Sequence, residues 1–124
     1  MGAISFAPDE AQEVARALAA VAAADGAILE REVSFLDDFA MRHSVGGLSF
    51  ISEPLDIARL TRAVRGVDMR LEVLRLCVAM ALSDDDYADS EARIISAIAA
   101  AFGVGDDELA AIIKAGEADR NSRR

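Results

Sequence analysis

Hydrophobic positions crowd most tightly at residues 73–82, where only Arg75 is polar between Val73 and Leu82. That run is too short to cross a bilayer and too apolar on every side for a surface helix, so it predicts a helix over about 69–82 at the centre of a bundle. On the N-terminal side, Val14, Ala17, Leu18, Val21 and Ala22 recur at spacings of three and four. They predict a first helix from Pro8 to about Ala24, with Asp9 and Glu10 in the turn where the helix dipole favours acids. Asp25-Gly26 is a turn signal, and Leu29, Val33, Leu36 and Ala40, widened by Phe35 and Phe39, mark a second helix over Glu30–His43.

Residues 44–52 break the pattern at Gly46-Gly47, yet Leu48, Phe50 and Ile51 are apolar enough for this loop to fold back onto the bundle. A third helix is predicted over Glu53–Arg65, with Ile57, Leu60 and Val64 facing in and Arg59, Arg62 and Arg65 forming an outer basic ridge. Gly66 ends it and Asp68 caps the central helix. An acid loop at 83–88 leads to a helix over Asp89–Phe102, with Asp89 as N-cap and Ile94, Ile95, Ile98 and Phe102 buried. Gly103 reads as its C-terminal glycine, and Asp106 as the cap of a last helix over Asp107–Ala115 that buries Leu109, Ile112 and Ile113. The expected fold is all-α, a single-domain bundle of six or seven helices. Residues 1–7 are a leader, 8–116 the domain, and 117–124 a disordered tail with nothing to bury.

Composition agrees with close-packed helices: alanine is abundant, aromatics make up 5% and only two prolines occur. No stretch alternates with period 2, so strands are not expected. At 124 residues the chain can bury roughly two-thirds of its unfolded surface without disulfides. The lone cysteine, Cys77, excludes an intrachain bridge and a cysteine-rich zinc site, and lies inside the apolar run as a packed side chain. The N-terminus has no basic segment followed by a long apolar one, and Ser5 stands one position early for a myristoylation signal. A cytoplasmic location is the expectation. A net charge of −9 argues against nucleic acid and anionic membranes, without membrane insertion, and favours cations or basic faces of a protein partner.

Shifted by 59 positions, the chain aligns with itself without a gap. Identities fall at Glu13/Glu72, Val14/Val73, Arg16/Arg75, Ala20/Ala79, Ala22/Ala81, Asp25/Asp84, Glu32/Glu91 and Ala40/Ala99. Each half reads as an apolar helix, an acid turn and an amphipathic helix opened by acids. Two pseudo-symmetric repeats of this kind would bring the two turns to related positions. The segments Ala-Ala-Asp-Gly-Ala-Ile-Leu-Glu-Arg-Glu at 23–32 and Ala-Leu-Ser-Asp-Asp-Asp-Tyr-Ala-Asp-Ser-Glu at 81–91 resemble the signature turns of the tellurite-resistance TerB family. Phe102-Gly103-Val104 followed by Asp106-Asp107-Glu108-Leu109 is similar to the way that family closes its second repeat, while Asp85 stands where it usually has glycine. The resemblance covers about 8–116. It implies an all-helical, non-enzymatic, acidic interaction module of tellurite and stress resistance, with metal binding open.

Four acids are the candidate metal ligands: Asp25, Glu32, Asp84 and Glu91, with Asp85, Asp86 and Asp89 nearby. Together they offer hard oxygen donors to a divalent cation if the turns meet. An EF-hand is excluded, because setting Gly26 at its invariant glycine puts Val21 and Ala23 where ligands are required, and Met80 and Leu82 in the second repeat. Helix capping is the commoner reason for such acids, and it leaves a protein-interaction scaffold as the alternative function. No enzyme is expected. His43, the only histidine, ends a helix with no nucleophile paired to it, and Gly46-Gly47 lacks the Lys and Ser/Thr of a phosphate loop. Tyr87 is matched by Ile28 in the repeat, which favours packing over chemistry.

Overall fold

The computed structural model describes residues 8–24, 30–42, 55–82 and 89–122. They form six helices: α1 (Pro8–Ala22), α2 (Glu30–Arg42), α3 (Ile57–Ala63), α4 (Val67–Leu82), α5 (Asp89–Phe102) and α6 (Asp106–Ser122). No strand occurs among the described residues. The loop expected at 44–52 lies outside them.

Burial shifts the centre of the bundle from where the pattern put it. α4 packs on α1, α5 and α6, and buries Val73, Leu74, Cys77, Val78, Met80, Ala81 and Leu82. Arg75 and Ala79, four apart, keep one solvent-exposed stripe on it. α1 packs on four helices, α2, α3, α4 and α5, and among residues 11–22 only Gln12 is exposed. Its alanines explain the difference. Ala11, Ala15, Ala17, Ala19 and Ala22 are all buried, and side chains this small let neighbouring backbones approach from several directions. The predicted stripe holds Ala17 and Ala22 but not Ala11, Ala15 and Ala19, so it marks only one side of α1.

Helix ends depart from expectation in instructive ways. α3 starts at Ile57, not Glu53: the Asp56 carboxylate accepts the Arg59 backbone N–H at 3.1 Å, a reach suited to the short aspartate. α3 closes at Ala63 with Val64 extended, so Arg65 lies beyond the helix and its Nε donates to the Arg62 carbonyl at 3.1 Å. The basic ridge on the helix is therefore Arg59 and Arg62 alone. Asp68 and Asp106 sit within their helices, since the first backbone bonds run from Arg70 to the Gly66 carbonyl and from Leu109 to the Gly105 carbonyl. Both acids act on the dipole from the first turn instead of capping. Asp89 is likewise the first residue of α5.

Gly103 meets its expectation. With φ at 77° it donates to Ala100, while Val104 donates to Ala99 at 2.9 Å, the paired bonds of a Schellman ending. Gly116 does not stop α6, which continues to Ser122, seven residues past the predicted end at Ala115 and into the tail expected to be disordered. A β-carbon there would stand 3.0 Å from Val78 Cγ1 and 3.2 Å from Leu82 Cδ1. Glycine at this position lets α6 lie close on α4.

Candidate functional site

Of the four predicted cation ligands, Asp25 and Asp84 lie outside the described residues, as do Asp85, Asp86, Tyr87 and His43. Glu32 falls in the first turn of α2, with its side chain outside what the structure describes. Glu91 is fully in view. It occupies the first turn of α5, is 1% exposed, and ranks among the largest completely buried side chains. A carboxylate so enclosed must be partnered, and Glu91 is not without contacts. Among the described residues no group of three or more His, Cys, Asp or Glu side chains is placed to hold a metal ion.

A second polar locus lies between α1 and α3, where Gln12, Glu13, Arg59, Arg62 and Ala63 line an open cleft of about 320 Å³. Glu13 and Arg16, one turn apart on α1, are both buried and joined through Arg16 Nη1 and Glu13 Oε2. Helical spacing makes the pair possible, and the surrounding helices remove it from water. Glu13 Oε1, also buried, accepts no hydrogen bond. The same spacing recurs on α4, where Arg75 Nη1 donates to Glu72 Oε1 at 3.2 Å, but that pair is exposed.

Sequence reasoning missed Arg70. From the first turn of α4 its Nε donates to the Val64 carbonyl at 2.7 Å and its Nη2 to the Thr61 carbonyl at 3.0 Å. Nη1 reaches the Phe102 carbonyl at 3.4 Å, and the guanidinium lies 5.2 Å from the centre of the Phe102 ring. One cation thus satisfies carbonyls at the ends of α3 and α5, where the dipole favours positive charge. No sequence signal marks it, because its role depends on the Thr61, Val64 and Phe102 carbonyls that only the fold brings together. Cys77 is buried as expected, and desolvation pushes its pKa from 9.0 up to about 12.

No curated protein and no solved structure matches the chain. The family model described as "Tellurite resistance protein TerB" matches residues 48–114, from ahead of α3 into α6. The match omits α1 and α2, which the sequence resemblance had included. It nevertheless spans more than half of the chain, carries α3, α4 and α5 whole, and agrees with the all-helical fold: the protein belongs to the TerB family.

Proposed function

We propose that this TerB-family chain is a non-enzymatic, cytoplasmic module of tellurite and stress resistance that binds a divalent cation through Asp25, Glu32, Asp84 and Glu91. The supporting observation is Glu91, a carboxylate at the head of α5 that is 1% exposed although acids are seldom so buried. Glu91 already makes a contact within the fold, a cation would add to what offsets removing its charge from water, and the acid loop at 83–88 directly precedes α5. The matched bonds Glu13–Arg16 and Glu72–Arg75 support the 59-residue register that pairs Asp25 with Asp84 and Glu32 with Glu91. The net charge of −9 keeps nucleic acid off this surface, and no helix among the described residues is long and apolar enough to cross a membrane.

A scaffold that binds a protein partner is the competing reading. It is favoured by the number of acids already employed at helix starts: Asp56 caps α3, and Asp68, Asp106, Asp107 and Glu108 occupy first turns. Thermal melts of the apo protein with calcium, magnesium, manganese or zinc separate the two, run beside the double substitution Asp25→Asn with Asp84→Asn. At about 100 times its Kd, a bound ion adds about 2.7 kcal/mol, and the cation reading requires one ion to raise the wild-type midpoint and not the variant's. No response to any ion, with the variant merely less stable, leaves the scaffold.

A further inference from the structure

The cleft between α1 and α3 combines groups that the cation reading does not use. Arg59 and Arg62 stand one turn apart on α3, both exposed, and both line the opening. Among the described residues neither guanidinium has an ion-pair or hydrogen-bond partner, although the chain carries an excess of acids. Two forked donors on one helix face suit the oxygens of a small anion better than a single point charge does. The exposed Gln12 on the opposite wall adds a neutral amide.

Glu13 narrows the choice of anion. Its side chain is 10% exposed and it also lines the cleft. One carboxylate oxygen is taken by Arg16, and the other, Oε1, is buried without a donor. An acceptor in the wall repels an anion that has only acceptors. It welcomes one that still carries an O–H, because that proton supplies the missing bond while the remaining oxygens face the arginines. We propose that this cleft binds a small protonated oxyanion of the hydrogen-phosphate type, held by Arg59 and Arg62 and selected through its O–H by Glu13. Because Oε1 is buried, contact with the anion requires the Glu13 side chain to turn towards the opening. The site draws on α1 and α3 alone, so it stands or falls separately from the acid turns.

Calorimetric titration of the full chain with inorganic phosphate and with sulfate, at low ionic strength and slightly acid pH, tests the assignment. Phosphate carries a proton under these conditions and sulfate does not, so phosphate should bind more tightly by about tenfold or more, the worth of one charge-assisted hydrogen bond. The double variant Arg59→Gln with Arg62→Gln should lose phosphate binding with its melting temperature unchanged, because both side chains are exposed. Glu13→Gln, whose amide can donate, should remove the preference for phosphate. If losing the partner of Arg16 unfolds that variant, the arginine pair and the wild-type phosphate-to-sulfate ratio still decide. Equal affinity for the two anions, retention of binding by the arginine variant, or no heat with millimolar phosphate each overturns the proposal.

Discussion

The Cys77 thiol is sealed inside α4, and its pKa of about 12 against an ordinary 9.0 reflects the cost of placing a thiolate among apolar side chains. The folded pKa lies above the unfolded one, so an unfolded chain releases this proton first. The thiol's contribution to stability is complete below about pH 9 and is lost as pH climbs from there towards 12. Between those values the loss approaches about 1.4 kcal/mol per pH unit. Urea unfolding of wild type and Cys77→Val across this range should show the wild type losing stability more steeply, the difference in slope isolating the thiol from Tyr87 and Lys114. Parallel slopes would mean that the thiolate forms inside the fold. Single residues of this kind were legible: an apolar run around one cysteine indicates packing. The Glu13–Arg16 pair was not, because one identity in a repeat says nothing about which copy the bundle will enclose.

Helix positions followed from hydrophobic spacing, while helix ends depended on local chemistry that the spacing does not carry. Pro8 and Gly103 lie where the sequence put them. α3 starts at Ile57, later than the spacing indicates, where the Asp56 carboxylate caps it by accepting the Arg59 N–H. Gly116 shows the ambiguity of glycine most clearly, since the residue that commonly follows a helix can also permit close packing within one. Gly116→Val should destabilise the protein by about 1–3 kcal/mol, as expected of overpacking against Val78 and Leu82. Urea midpoints measure this, and the companion change Val78→Ala should recover part of the loss by opening space at the 3.0 Å contact. A Gly116→Val protein as stable as wild type would mean that α6 docks loosely.

At the scale of the whole molecule, Arg70 links α4 to residues up to 32 positions away. Arg70→Met keeps the aliphatic length but leaves the Thr61, Val64 and Phe102 carbonyls short of a donor, at an expected cost of about 2 kcal/mol in denaturant unfolding. Arg70→Lys should recover little, because an ammonium cannot reproduce a planar fork that serves three acceptors. Full rescue by lysine would reduce the role of Arg70 to its charge. The all-helical architecture and the family could be read in advance from periodicity and from the turns around Asp25 and Asp84. The α1–α3 cleft could not, since it depends on which faces of two distant helices meet. The enclosure of α1 has a further consequence during synthesis. The ribosome delivers this helix before any of its four partners, and at roughly 5–20 residues per second α5 follows only after several seconds. Until the last of these helices emerges, α1 lacks part of the packing that buries Val14, Leu18 and Val21 in the finished fold.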